Sequence, residues 1–341
     1  MNQAHKIYGV DSLRFCAFLM VFLSHTLPFG FAYQGVIFFF VISAFLLTHL
    51  AIFEIKETGK FSQVNFFIRR ALRIYPLYFL IVIFSFTIVP VLSNHYQLPI
   101  TLPADKWKFF VFLSNTDDSP FVFYLKYFWS IAVEEQFYLI FILLSFFFKR
   151  NIWLTILLLY CVYFIAIIYY YFQKENLPLS SLLNTLPCFA TGMVVAKLCF
   201  YKKRGIPKFI ALFLLMAILL EVAEKKFVFL TDLSNLKYAL YCSIPLFLVV
   251  NFQKQLLLII KNTSLKITEW LGKITYGLYV YSGIIITAVK MIIKPESAYT
   301  LFALSFIILL PVAWLSYKFF EQPFLKLKDR WRYGSKLSSL S

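Results

Sequence analysis

Residues 35–53 read GVIFFFVISAFLLTHLAIF, an uncharged run whose length matches the ~20 apolar residues that cross a bilayer as a helix. Comparable stretches recur along the chain, at about 12–31, 74–93, 129–148, 151–172, 181–200, 207–224, 237–252, 272–293 and 299–319. The composition agrees. Of 341 residues 61% are hydrophobic, 21% aromatic and only 14% charged, with 42 Phe and 22 Tyr, whereas a soluble domain carries roughly a quarter charged residues. Disorder, coiled coil and collagen-like structure are excluded. The expected fold class is an all-α polytopic membrane protein, a bundle of about ten transmembrane helices.

The net charge of +17 would suggest nucleic acid in a soluble protein. Here it is distributed as membrane topology demands. With the N-terminus inside, Lys6, Arg14, Lys56, Lys60, Arg69, Arg70, Arg73, Lys149, Arg150 and the later basic loops place 24 of 33 Lys and Arg on the cytoplasmic side. Both termini are therefore expected in the cytoplasm, with no nucleic-acid partner. Residues 1–325 form the expected membrane domain and 326–341 a short basic cytoplasmic tail, an interfacial anchor against membrane lipids. The longest outer loop, about 94–128, holds Pro99, Pro103, Asp105, Asp117, Asp118 and Pro120 and is a candidate substrate-facing lid. Lys6 and Arg14 before an apolar run imitate a secretory signal, but no small-residue cleavage site follows, so an uncleaved first helix is expected. Cys16, Cys161, Cys188, Cys199 and Cys242 show no C-x-x-C spacing and read as small buried hydrophobes, supporting neither disulfides nor a metal.

A charge within a span costs at least ~2.5 to 3.5 kcal/mol, so each one needs a reason. Arg14 and His25 lie 11 positions apart in the first span, three helical turns plus roughly 20°, hence on one face and ~16 Å apart along the axis. His25 reads either as an imidazole hydrogen-bonded between helices or as a titratable group in use, and Arg14 as a snorkelling anchor or a charge along that face. Arg69, Arg70 and Arg73 precede Ile74-Tyr75-Pro76 and share a face at i, i+3 and i, i+4. Such a cluster fixes topology, meets lipid phosphate, or forks onto a phosphorylated ligand. Glu134 and Glu135 lie about a turn inside the fourth span; adjacent on a helix, they must have different partners, orienting an imidazole, neutralising an arginine, or titrating. His5, His49 and His95 read as ordinary polar residues of interfaces and loops.

Together these residues resemble the acyltransferase-3 family of integral membrane acyltransferases, which modify surface polysaccharides, lipopolysaccharide and related acceptors in bacteria. The resemblance rests on Val10-Asp11-Ser12-Leu13-Arg14 followed by His25, on Gly35 through Ser43, on Arg70-Ala71-Leu72-Arg73-Ile74-Tyr75-Pro76, and on Trp129-Ser130 through Glu134-Glu135-Gln136-Phe137-Tyr138. It continues with Phe189 and Gly192, Leu271 through Tyr279, and Tyr317, Glu321, Pro323 and Phe324. Ala44 stands where the family commonly has Gly, a small-for-small change. Ser282 stands where many members have a second His. The esterase-like extracytoplasmic domain common in the family is not expected after the tenth span, so acylation is expected of the membrane domain alone or with a separate extracytoplasmic partner.

The resemblance implies an enzyme of the inner (plasma) membrane that moves an acetyl or other acyl group from cytoplasmic acyl-CoA, usually acetyl-CoA, to a hydroxyl of a glycan or lipid-linked saccharide. CoA is then a donor substrate, with no permanently bound cofactor. His25, Glu134 and Glu135 are the candidate catalytic residues; Arg14, Arg69, Arg70 and Arg73 are the candidate donor-binding residues, because CoA is rich in phosphate. A base is what the chemistry needs, since a sugar hydroxyl is a poor nucleophile until its proton is being removed. The competing class is a proton-coupled transporter or flippase of a glycolipid or small anion, with His25, Glu134 and Glu135 as a proton relay. Ten Gly and no visible halves give it little support. An inactive sensor or scaffold is the third alternative.

Overall fold

The computed structural model describes residues 7–116, 123–201, 206–226, 233–253, 255–256, 258 and 265–331. His5, Lys6, Asp117, Asp118, Pro120, the basic residues 202–204, Lys254, Lys261 and the tail from 332 lie outside the described residues. No strand occurs among the described residues. Helices satisfy every backbone group within one segment, as lipid requires.

In chain order the helices are α1 (Val10–Thr26), α2 (Ala32–Thr58), α3 (Gln63–Tyr96), α4 (Trp107–Phe110), α5 (Phe123–Lys126), α6 (Phe128–Leu144) and α7 (Phe148–Gln173). They continue with α8 (Leu182–Tyr201), α9 (Ile206–Lys226), α10 (Ser234–Asn251), α11 (Leu265–Lys273), α12 (Thr275–Ala288), α13 (Ala298–Leu315) and α14 (Gln322–Asp329). Wider π-helical turns, Val289–Ile293 and Ser316–Glu321, extend α12 and α13. Among the described residues seven helical stretches are long and apolar enough to cross a membrane: Ala32–Thr58, Gln63–Tyr96, Tyr124–Phe147, Asn151–Gln173, Leu182–Phe200, Thr275–Ile293 and Ala298–Asp329. The other three expected spans are helices too. At 17 residues α1 rises about 26 Å, just short of a bilayer core; α9 carries Lys208, Glu221 and Glu224, and α10 carries Asn235 and Lys237. Exposed apolar side chains such as Ile165 and Phe172 on α7 and Ile307 on α13 are what lipid-facing surfaces need.

The chain divides into two compact units, one drawn from Met1–Val21, Gly30–Glu57 and Phe146–Thr275, the other from Phe22–Phe29, Thr58–Ser145 and Tyr276–Ser341. Small residues set the first. A Cβ on Gly35 would lie 2.8 Å from the Ala17 carbonyl oxygen, and one on Gly192 would lie 2.9 Å from Ala44 Cβ, so α2 approaches both α1 and α8 closely. Ala44 is fully buried and fits that seam. Asn235 Nδ2 donates to the Asn184 carbonyl at 2.8 Å and side chain at 2.9 Å, and Lys237 pairs with Glu221 at 3.1 Å and with Glu224. His49 is enclosed by Phe45, Phe53 and Phe200. The cysteines depart from expectation in part: Cys188 and Cys199 are buried, but Cys16 and Cys161 are exposed on their helices, and all five are free thiols.

In the second unit α3 begins earlier than hydropathy alone suggests. Ser62 caps it, accepting the Asn65 N–H at 3.4 Å, so Arg69, Arg70 and Arg73 sit two to three turns inside a 34-residue helix rather than ahead of it. The expected lid also differs. Segment 105–116 folds back onto its unit: Tyr78 Oη donates to the Phe109 carbonyl at 2.8 Å, and Gln136 Nε2 donates to the Phe112 carbonyl and Asn115 Oδ1, each at 2.7 Å. Phe112 takes a left-handed φ of 57° and is held there by ring contacts with Tyr75, Tyr78 and Phe79. Burial of Phe109 and three hydrogen bonds pack this stretch against its unit. The α1 end is held by Phe22, whose ring lies 5.8 and 5.7 Å from those of Phe302 and Phe306 on α13.

Candidate functional site

The last turn of α1 carries His25 into the second unit. Its ring meets Tyr127 edge to face, centroids 4.6 Å apart and planes at 81°. Tyr127 occupies the break between α5 and α6 and is backed by Gly283, where a Cβ would lie 2.6 Å from Tyr127 Cδ2. The Tyr279 ring, one turn before Gly283 on the same helix, stands 6.2 Å from that of Tyr127. Tyr279 Oη and Ser130 Oγ are 2.6 Å apart, and both reach the Tyr127 carbonyl, at 3.2 and 3.1 Å. Ser282, where a second His was considered, is buried and donates to the Tyr279 carbonyl at 2.7 Å. It serves the turn that presents Tyr279.

At about 100° per residue, Tyr127, at the head of α6, falls within about 40° of the face that carries Glu134 and Tyr138, the three spread over ~16 Å. Tyr138 Oη donates to Glu134. The Tyr138 ring in turn receives the Arg70 guanidinium, 5.8 Å from its centroid, and the adjoining Phe66 ring lies 5.7 Å from the same cation. Arg70 interacts electrostatically with Arg73, Glu134 and Arg69, and Arg73 with Glu321. Glu321, 7% exposed, accepts from Ser316 Oγ at 3.2 Å, and Ser316 Oγ accepts from Tyr281 at the same distance. Glu135, 5% exposed, points elsewhere, with Tyr75 within hydrogen-bonding reach. The two neighbouring carboxylates thus take different hydroxyls, Tyr138 and Tyr75, while both interact electrostatically with Arg70.

This arrangement brings Glu134 to the Arg70 side through Tyr138, and sets the Tyr127 ring against His25. The four arginines also separate. Arg69 Nη1 donates to the Trp331 carbonyl at 2.8 Å, tying the chain after α14 to α3. Arg14 belongs to the first unit and pairs with Asp11 at 3.9 Å. Nearby Glu269 accepts the Gly9 N–H at 2.7 Å and Ser12 Oγ at 3.3 Å, which fixes the entry to α1. Arg70 and Arg73 remain as the pair set among the carboxylates of the second unit.

A cavity of about 600 Å³ opens beside His25, lined by Thr26, Leu27 and Pro28 after α1 and by Lys290, Lys294 and Glu296 around the turn into α13. Sequence reasoning passed over Tyr127, Tyr138, Tyr279 and the two lysines. The available signals were tyrosine hydroxyls inside spans, which need partners when buried, and lysines on the side that the expected topology makes extracytoplasmic.

The family described as an acyltransferase domain matches residues 7–318. O-acetyltransferase OatA of Staphylococcus aureus is 34% identical over 156 residues, covering 41% of this chain and 25% of that protein. A putative O-acetyltransferase of the same species, SACOL0978, is 32% identical over 151 residues with the same coverage. The match thus spans about a quarter of the length of these curated relatives. No solved structure matches. A match over nearly the whole described bundle, carried by helices long and apolar enough to span a membrane, means that the chain belongs to the acyltransferase-3 family.

Proposed function

We propose that this multi-pass protein of the inner (plasma) membrane, both termini cytoplasmic, transfers an acetyl group from cytoplasmic acetyl-CoA to a hydroxyl of a surface glycan or lipid-linked saccharide. The observation that carries the proposal is the line of groups within the second unit, from the cavity at His25 through Tyr127, Tyr279 and Ser130 to Glu134, Tyr138, Arg70 and Arg73. In the proposed topology the cavity faces outward and the arginines inward. CoA phosphates meet Arg70 and Arg73, and the thioester reaches towards His25.

His25 takes the proton of the acceptor hydroxyl as its oxygen attacks the thioester carbonyl. The new C–O bond forms, the C–S bond breaks, and the departing thiolate recovers the proton from the imidazolium. Tyr127 holds the imidazole in place. A transient acetyl-His25 is the other route by which the same residue serves transfer.

The test is purified protein in liposomes with labelled acetyl-CoA inside and cell-surface glycan outside. Label should enter the glycan with wild type and not with His25→Ala. Transfer at wild-type rate by a folded His25→Ala protein overturns the role of His25. Mass spectrometry of the surface glycan from a deletion strain identifies the acceptor.

A further inference from the structure

The cavity beside His25 has walls of unequal character. Leu27, Pro28, Pro295, Ala298 and Leu301 give it apolar surface, whereas Lys290, Lys294 and Glu296 line the turn between α12 and α13. Its volume, about 600 Å³, suits a small ligand or one or two sugar units. Backbone geometry sets both lysines at this turn. The wider winding of Val289–Ile293 carries Lys290, and Lys294 ends it in a left-handed conformation, φ 52°, its N–H closing onto the Val289 carbonyl at 3.1 Å. A π-helical turn ending in a non-glycine left-handed residue is an uncommon construction, and such turns recur at functional sites. Ser297 then caps α13, accepting the Thr300 N–H at 3.0 Å, so the next helix starts without delay and keeps the turn short.

Lysine is disfavoured on the outer side of a membrane protein. In the proposed topology nine of 33 basic residues lie there, and two of those nine line the cavity that contains the histidine. Lys290 interacts electrostatically with His25 itself. Against two ammonium groups the cavity sets one carboxylate, Glu296, so its field favours an anion at the imidazole end. Lysine offers a compact charge rather than a fork and recognises carboxylate and phosphate alike.

We propose that this cavity is the acceptor site and that Lys290 and Lys294 select a saccharide bearing a negative charge, carboxylate or phosphate, near the hydroxyl to be acylated. The proposal rests on the transferase reading above and names its acceptor class. The ion pairing orients the sugar with its hydroxyl at His25, and the apolar wall covers the face of the ring.

The full chain, reconstituted in phosphatidylcholine vesicles to remove anionic lipid, is given labelled acetyl-CoA and cell-surface glycan separated by anion exchange into neutral, carboxylate-bearing and phosphate-bearing fractions. Label should enter a charged fraction; which one distinguishes the two sources of charge. Lys290→Gln with Lys294→Gln should raise the acceptor KM about tenfold or more, leave the donor KM unchanged, and keep the melting temperature, since both side chains are exposed. Arginine at both positions should restore transfer. Preferential labelling of the neutral fraction, or a double variant as efficient as wild type, overturns the proposal while the transferase reading stands. No label in any fraction with wild type overturns the transferase reading itself.

Discussion

The ring of Tyr127 stands at 81° to that of His25, with 4.6 Å between centroids. Edge-to-face packing of this kind fixes the plane of an imidazole without competing for its nitrogens. Tyr127 is itself closely packed, its ring against Gly283 and its carbonyl accepting from Ser130 and Tyr279. A base that must meet a hydroxyl within hydrogen-bonding distance gains most from such restraint.

Tyr127→Phe keeps the ring and should retain transfer within about threefold. Tyr127→Leu removes it and should lower kcat by roughly 10- to 100-fold with the donor KM unchanged, the scale of loss expected when a reacting group is misplaced by about 1 Å. Steady-state kinetics of both variants decide the point; full activity in Tyr127→Leu excludes a positioning role.

The arginines should part company in the same assay. Loss of a charge-assisted phosphate contact is worth roughly 1.5 to 3 kcal/mol, so Arg73→Ala and Arg70→Ala should each weaken acetyl-CoA binding by about one to two orders of magnitude. Lysine at either position restores only part, because the fork is lost. Arg69 already donates to the Trp331 carbonyl, so Arg69→Ala should lower the melting temperature and leave donor binding within about twofold. Isothermal titration with CoA and a thermal melt separate these outcomes. Equal donor losses in all three would return Arg69 to the donor site.

The fold was legible because apolar runs such as 35–53 leave a chain in lipid few alternatives, and all ten expected spans are helices. The start of α3 was hidden because Gln63 to Arg73 is polar enough to look like a loop; the Ser62 cap and burial within the unit decide it. His25, Glu134 and Glu135 announced themselves as charges and imidazole where lipid should be. Their partners did not. Helix rotation is set by contacts such as Gly283 on Tyr127, far apart in sequence, and the break at Tyr127 has neither Gly nor Pro to mark it. The bond from Tyr138 to Glu134 follows from the four-residue helical spacing and could have been read from the sequence.

That bond gives a double-mutant cycle. Glu134→Gln and Tyr138→Phe each remove one side of it and disturb Arg70, whose cation rests on the Tyr138 ring. Contacting residues couple by about 0.5 to 3 kcal/mol, so the double variant should melt no lower than the worse single one. Glu135→Gln, directed towards Tyr75, should combine with Tyr138→Phe more nearly additively. Strict additivity in the first cycle would remove the Glu134–Tyr138 interaction from the account.

Gly283 offers the sharpest separation of stability from catalysis. A Cβ there would lie 2.6 and 2.7 Å from Cδ2 and Cε2 of Tyr127 and 2.9 Å from Tyr124 Cβ, so Gly283→Ala must displace the tyrosine ring or part the helices. Overpacking of this kind costs about 1 to 3 kcal/mol, and because the displaced ring is the one beside His25, kcat should fall as well. Gly277→Ala is the control: its Cβ would meet the tip of a flexible side chain, Glu321 Oε1, at 3.0 Å rather than a wedged ring, and should cost less. Combining Gly283→Ala with Tyr127→Leu removes the obstructing ring, so the melting temperature should recover towards that of Tyr127→Leu alone while transfer stays low. Recovery of transfer in the double variant would mean that His25 does not need Tyr127. Failure of the melting temperature to recover would mean that Tyr124, not Tyr127, is what Gly283 accommodates.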